Sequence, residues 1–533
     1  MNTSRRIVVF SGDLSYAVRK GIIELDDDAA GTLSWLIVLH ASRKTVRQLL
    51  GNQWLNLRRN GWRWIPYQLA ELVSRVAARR SAAAPDRRDG PGTEFSVESL
   101  LARPNVRLLR VDDLHGESAL RAVREFAPDL GLSLAAPILR RTLFSIPALG
   151  TINLHKGKLP EFRGMPPAFW ELWHDQATIG CSVHLVDDKL DTGDVIAEGC
   201  VERARFSTLR GLQLRLDDVG NELLRGAVFA MLDGSARPRP QPAGRGATHR
   251  KPTLAQQAEL QRRLAPVRPF AMRPKYWCKQ AFATAAYGAF RLGTGRLLTP
   301  RITVLLYHRV SDDVRDNLTV GIEQFDRQMA LLRRHCEILS IEQVIACDTI
   351  PRSTRPLVAV TFDDGYLDNY VHAVPSLRRH GVTAAFFVST GIVSSGGRFP
   401  HDVSRGNPPI PLMTWEQMRA MRGWGFTIGS HSVNHIDCAT ESEAIVREEL
   451  AQSRDDLRRE LGIEGVVFAY PYGGREHMTG ERLEWVKQAG YVACLSAYGG
   501  ANVGRVDRYD VRRRGIYHAF SDRALLFECL GLT

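Results

Sequence analysis

The pattern that most constrains this chain occurs twice: short apolar runs that break off into polar residues, each followed by an amphipathic stretch. In the first half RIVVF (6–10), SWLIVLH (34–40), VRLLRV, DLGLSLAA and GTINLH (150–155) alternate with SYAVRKGIIEL and SALRAVREFAP. In the second half ITVLLYHRV (302–310), LVAVTF, TAAFFVS, FTIGSHS, VVFAYPYG and YVACLS alternate with EQFDRQMALLRRH, YVHAVPSLRRHG, WEQMRAMRGWG, a charged stretch at 441–461, and EWVKQAG. Strands joined through helices run parallel, and a parallel sheet needs cover on both faces. The fold class is therefore α/β throughout, with a Rossmann-like parallel sheet first and a (β/α) barrel second. In a barrel the functional side chains sit at the strand C-terminal ends. At 533 residues the chain is too long for one core. RPRPQPAGRG, near residue 250, marks the break. The expected divisions are 1–252, a basic linker with an apolar helix at 253–300, and 301–533.

The net charge of +13 invites a nucleic-acid reading. However, eleven Lys and Arg against Glu259 alone fall between Arg237 and Lys279, at the break and in the linker that follows it. A basic tether that lacks interleaved aromatics across most of its length is a poor nucleic-acid groove, so no nucleic-acid partner is expected. Peripheral contact with an anionic membrane, or plain solubility, accounts for it as well, and KYWCKQAFATAAYGAFRL (275–292), apolar with basic ends, reads first as a helix docked on one of the domains and second as one lying on a membrane surface. No run approaches a membrane span. The amino-terminal apolar run is only IVVF, which is not a secretory signal. Eight cysteines without C-x-x-C pairs argue against a disulfide framework or a zinc ribbon. A cytoplasmic location follows as the expectation.

Four polar groups fall at strand ends in the second half: Tyr307-His308, Asp363-Asp364, His431 with His435, and Tyr470-Pro471-Tyr472-Gly473. Two adjacent carboxylates repel unless each has its own partner. Two imidazoles at i and i+4 face one way if that turn is helical, and with one carboxylate they make a facial set for a catalytic zinc or ferrous ion. The second aspartate is then free to act as a base, since neighbours on a strand point to opposite faces. TFDDG, H-S-x-x-H and Y-P-Y-G together resemble the NodB-type polysaccharide deacetylases over about 300–520, a family that removes acetyl groups from sugars with a divalent metal, zinc here. The resemblance implies Asp364, His431 and His435 as metal ligands and Asp363 as the base. In a branch similar to poly-N-acetylglucosamine deacetylases the acid histidine moves to the front, where LLYH supplies His308; His518 in GIYH is the rival. Ala469 stands where the family carries an arginine, so Arg512, Arg513 or Arg514 must orient the base. Tyr470 and Tyr472 are expected to meet substrate. His380 and His401 have ordinary structural readings.

In the first half, NLHKGKLPEFRG (153–164) and DDKLDTGDV (187–195) offer a carboxamide, an imidazole and a loop carboxylate. These suit acyl transfer to an amine, which needs donors for an oxyanion and a group to take a proton. N-x-H, L-P-x-F-R-G and L-D-x-G resemble the 10-formyltetrahydrofolate-dependent formyltransferases over about 1–252. The resemblance implies Asn153, His155 and Asp191 as the catalytic set. It places the folate near 132–141, with Leu132, Ala135, Ile138 and Asp191 in contact, and Arg163 on the substrate. Gly157 replaces a serine common in that family. Lys156 and Lys158 are read as solvated or phosphate-facing. A deacetylase exposes an amine and a formyltransferase consumes one, so the pair implies acetyl-to-formyl exchange on a nucleotide- or lipid-linked N-acetyl amino sugar. The alternatives are that one half only binds, or that the formyl acceptor is an unrelated amine such as methionyl-tRNA.

Overall fold

A computed structural model describes residues 4–41, 46–66, 68, 94–242, 246–264, 299–478 and 480–532. The polar stretch 81–93 and the apolar segment 275–292 lie outside the described residues. The chain divides into two compact units, Met1–Pro266 and Val267–Thr533.

The first unit is built on one sheet whose spatial order is Val106–Val111, Leu33–His40, Arg5–Ser11, Leu130–Ser133, Thr151–His155, Thr178–Leu185, Val195–Glu202. The first five strands are parallel. Their centres, such as Ile7–Phe10, are fully buried, as strands covered on both faces must be. The last two strands run antiparallel, a departure from the all-parallel expectation. The connection at 186–194 is too short for a helical crossover and can only return as a hairpin. The helix Leu209–Asp233 covers these two strands, with Thr208 accepting from the Gly211 amide at its start and Gly234 in the left-handed region at its end.

The second unit orders its strands Ala493–Leu495, Val467–Ala469, Thr427–Ser430, Ala385–Val388, Leu357–Phe362, Arg301–Tyr307, all parallel. One segment touches both ends of that order: Val511 pairs with Leu495, and Arg513–Gly515 pair with Val304–Leu306. Closure therefore runs through a single short segment. With Glu337–Ile338 beside Leu357–Val358 and Asn502–Val503 antiparallel to Arg301–Ile302, the sheet has nine strands among the described residues, not the eight parallel ones of an ideal barrel. Phe362, Phe386, Phe325 and Tyr307 stack among themselves in the core. His308, Asp363, His431 and Tyr470 each come directly after the last residue of a strand. Among the described residues no helix is long and apolar enough to cross a membrane.

Candidate active sites

In the second unit the turn after Leu357–Phe362 separates the two aspartates. Asp363 still bonds through its amide to the Tyr307 carbonyl (3.1 Å), whereas Asp364 has φ +79°. Their division comes from this left-handed turn and not from the strand alternation expected above. Backbone strain of this kind is a local cost held by surrounding structure. Here Met413 N donates to Gly365 O and Leu367 N to Pro411 O.

The segment 431–435 is likewise not helical: Ser432 and His435 both have positive φ. Glu449, from the helix Glu443–Leu461, holds the turn in shape. Its Oε2 accepts from the amides of Val433 (2.8 Å) and Asn434 (2.9 Å), and its Oε1 from Asn434 Nδ2 (2.6 Å). The result brings His431 Nε2 and His435 Nε2 to 3.7 and 3.4 Å from Asp364 Oδ1. His431 Nδ1 donates to the Ala469 carbonyl (2.8 Å), which leaves its Nε2 lone pair facing the carboxylate. Burial pushes His431 down to about 4, so both its charge state and its tautomer suit a ligand.

Both oxygens of Asp364 are buried without a hydrogen-bond partner. Burial pushes this carboxyl up, but His435 and the neighbouring imidazoles outweigh it and hold it far below its ordinary value. A buried, ionised, unbonded carboxylate among imidazole nitrogens at 3.4–3.7 Å is a site short of one cation. Asp364, His431 and His435 thus fit a divalent ion.

Asp363 has a different partner. Arg513 donates from Nη1 to Oδ1 (2.6 Å) and from Nη2 to Oδ2 (2.8 Å), and both residues are buried. Burial raises this carboxyl, and the Arg513 fork overrides it and holds it below its ordinary value. Strand alternation at 512–514 turns only the middle arginine inward, which decides among the three candidates. His308 stands on the adjoining strand end. Burial lowers its pKa against the pull of Asp364 and Asp363. Asn369 Nδ2 grips its carbonyl (2.7 Å). His518 is exposed, with Nδ1 donating to the Asp316 carbonyl (2.7 Å), and His380 pairs with Asp326 (3.1 Å). Tyr472, half exposed, packs its ring 5.0 Å from His435. Tyr470 corrects the expectation: its side chain is sealed in the core against Phe468, out of reach of a substrate.

In the first unit, Asn153 and His155 lie on alternate positions of Thr151–His155. His155 Nε2 donates to the Phe162 carbonyl (2.7 Å), and its Nδ1 faces Asp191 Oδ2 at 3.5 Å. A Cβ at residue 157 would stand 2.5 Å from that Nε2, so Gly157 is what lets the ring sit there. Burial lowers the His155 pKa, with Asp191 acting against it. His184, missed in the sequence reading, completes the group. Its Nδ1 donates to the Leu185 carbonyl (2.8 Å), so its Nε2 accepts from Asn153 Nδ2 (3.1 Å) and fixes which end of the carboxamide donates. A bulge between Val183 and His184 sets the register there. A polar residue inside the buried strand TIGCSVHL was the available signal.

Asp191, at φ +53°, accepts from the Gly164 amide (2.9 Å). Arg163 Nε and Gln241 Nε2 both donate to its carbonyl (3.2 and 3.0 Å). Arg163 therefore braces the loop that carries Asp191. Burial raises the Asp191 carboxyl, and His184, His155 and the Gly164 amide together hold it below its ordinary value. Of the expected folate contacts, Leu132 faces the core and offers a ligand no side chain, Ala135 is exposed, and Ile138 lines a cleft of about 320 Å³ with His40, Asp113 and His115. Lys156 pairs with Asp217, and Lys158 is exposed.

Comparison with known proteins gives each unit a relative. The family model for polysaccharide deacetylase matches residues 351–494, and that for formyl transferase matches 70–228. The methionyl-tRNA formyltransferase of Myxococcus xanthus (strain DK1622) is 32% identical over 181 residues, covering 33% of this chain and 56% of its own. That of Clostridium tetani (strain Massachusetts / E88) is 27% identical over 178 residues, covering 32% and 57%. The chain thus spans little more than half the length of these relatives. Among solved structures, the Streptococcus pyogenes deacetylase PplD in complex with acetate is 24% identical with a TM-score of 0.37, covering 43% of this chain and 98% of its own. The formyltransferase PseJ from Anoxybacillus kamchatkensis is 25% identical with a TM-score of 0.25, covering 29% and 78%.

Proposed function

We propose, for a chain whose N-terminal half resembles the formyltransferases and whose C-terminal half resembles the polysaccharide deacetylases, that it exchanges an acetyl for a formyl group on the nitrogen of an N-acetyl amino sugar. What supports this reading is the presence in one chain of two side-chain groups, Asp364-His431-His435 beside Asp363 and Asn153-His155-Asp191, that suit complementary chemistries, one exposing an amine and the other consuming it.

In the C-terminal unit Asp364, His431 and His435 would hold a divalent metal, zinc by donor type, which supplies Lewis-acid polarisation of the acetyl carbonyl and a more acidic water. Asp363, ionised and fixed by Arg513, takes the proton of the attacking water. The bidentate fork leaves each Asp363 oxygen a lone pair and denies the side chain any other rotamer. In its protonated form His308 gives a proton to the departing amine nitrogen as the C–N bond breaks, so that acetic acid and a neutral amine leave. Tyr472 offers a partly exposed aromatic face at the rim for the sugar ring.

In the N-terminal unit the amine attacks the formyl carbon of 10-formyltetrahydrofolate, which supplies an activated one-carbon unit on nitrogen. Asn153 Nδ2 donates to the oxyanion that develops. His155 Nδ1, aimed at Asp191, takes the proton released by the attacking amine, and Asp191 stabilises the imidazolium. The proton then passes to the departing folate nitrogen. A nucleotide- or lipid-linked sugar in the cytoplasm goes with this reading.

The test is the full chain with zinc, formyl-folate and nucleotide-linked N-acetyl amino sugars, read by mass spectrometry. An N-formyl product supports the exchange; formation of free amine that is never formylated overturns it. The identity of the relatives favours a second reading, in which the N-terminal unit formylates methionyl-tRNA. Formylation of that tRNA in the same assay would decide for it.

A further inference from the structure

After the strand Leu33–His40 the first unit carries a helix that neither reaction uses, Val46–Asn60, followed by the tight turn Gly61–Arg63. A helix on a globular unit ordinarily turns its large apolar side chains toward the core. Here Trp54, Leu55, Trp62 and Ile65 are each more than half exposed. Elsewhere among the described residues, apolar side chains this exposed stand singly, as at Ile138, Met165 and Val403, which is ordinary for a protein surface. Four of them between positions 54 and 65 make a surface that is costly to leave in water.

Local structure sets what accompanies these side chains. At spacings of one, four and five, Trp54, Leu55, Arg58 and Arg59 share one side of the helix. The Arg58 guanidinium lies 4.0 Å from the centre of the Trp54 ring, a cation–π pair that keeps charge and indole together at the surface. Arg59 donates to the Lys251 carbonyl, and Asn60 Oδ1 accepts from the Leu254 amide (2.9 Å), so the end of the helix is anchored to its own unit. Gly61, at φ +64°, ends the helix, and Trp62 and Ile65 follow at once. Over 46–66 the sequence has four arginines, Arg47, Arg58, Arg59 and Arg63, and no Asp or Glu.

We infer that this segment is a docking surface for an anionic lipid membrane, separate from the linker at 253–300. Indole and aliphatic side chains seat at headgroup depth, and arginines beside them meet the lipid phosphates. All charge on the segment has one sign, which matches a uniformly negative leaflet. A second copy of the chain seated on the same face would set these arginines against each other. Nucleic acid would stack on the indoles but would give Leu55 and Ile65 nothing to bury against. This docking is independent of the reaction proposed above.

The test is flotation of the full chain with vesicles of phosphatidylcholine alone and of phosphatidylcholine with about one-third phosphatidylglycerol. The expected result is binding to the mixed vesicles, weakened by salt. Trp54→Ala combined with Trp62→Ala should weaken it about tenfold or more, and Arg58→Gln about fivefold. Both indoles are exposed, so the double variant should keep the thermal denaturation of the wild type. Should it fail to fold, Trp54→Gln with Trp62→Gln carries the same expectation. Lipid brominated on its acyl chains should quench tryptophan emission in the unaltered chain, and less so in the double variant. Absence of binding to the mixed vesicles overturns the inference, as does equal binding to both compositions. Binding that the variants leave unchanged overturns it too, since the contact then belongs to another segment. Capture of tRNA or of an acidic protein that the same variants abolish, without vesicle binding, overturns it in favour of a macromolecular partner.

Discussion

The two sites differ in what each is missing. In the C-terminal unit Asp364 keeps two buried oxygens without a hydrogen bond, and burial pushes its neighbour His431 down to about 4; the group fits a divalent cation. In the N-terminal unit every polar atom of Asn153, His155, His184 and Asp191 just described has a protein partner, except for the gap between His155 Nδ1 and Asp191. On the proposed reading one unit would hold an ion throughout its reaction, and the other a proton for part of it. The same residue types, His and Asp, serve both ends because hydrogen bonding sets which nitrogen carries a proton.

The largest effect that separates the two comes from chelation. Removing divalent metal should bring deacetylation to background and leave formyl transfer unchanged; equal loss of both would erase the distinction. Next, Asp363→Asn should slow deacetylation by about 10²- to 10⁴-fold with zinc content intact, because the base is lost and the ligands are not. Asp191→Asn should slow formyl transfer by about 10²-fold or more and leave deacetylation alone. Its pH profile sharpens the point. His155 must be neutral to take a proton, so transfer falls on acidification through its lowered pKa, and Asp191→Asn, by removing the charge that pulls this pKa up, moves the fall to still lower pH.

Smaller effects probe the supports. Glu449→Gln should cost about tenfold in zinc affinity, since it loosens the turn that presents His435. Asp316, paired with buried Arg309, is held down to about 2, burial notwithstanding. A lowered carboxyl stabilises the fold fully above its unfolded value near 4 and loses that contribution as pH falls through about 2. Asp316→Asn should therefore flatten the acid limb of thermal stability, by about 1 kcal/mol after solvent screening.

What could be read from sequence was what local pattern determines. Strand ends carrying His308, Asp363-Asp364, His431 and Asn153-x-His155 showed themselves because apolar runs stop there. Arg513 could be narrowed to three neighbours only, since its partner is 150 positions away and the choice depends on which face of a short strand is buried. Glu449 and His184 were not found. Their roles come from tertiary contacts, and a glutamate in a charged helix or a histidine in a buried strand has no pattern of its own. Tyr470 and Leu132 went the other way: motif membership suggested ligand contact, and core packing claims both side chains. The spacing of His431 and His435 pointed to a shared face for the wrong reason, because a left-handed turn held by Glu449 does what a helical turn was expected to do.

The central claim is that one nitrogen passes through both sites. The most direct measurement incubates the full chain and zinc with a nucleotide-linked N-acetyl amino sugar labelled with ¹⁵N at the acetylated position, and with formyl-folate labelled with ¹³C in the formyl group. The account predicts free acetate and a product that carries a ¹³C–¹⁵N bond, visible as a one-bond coupling by NMR. Release of acetate with the ¹³C label found only on a different amine would contradict it.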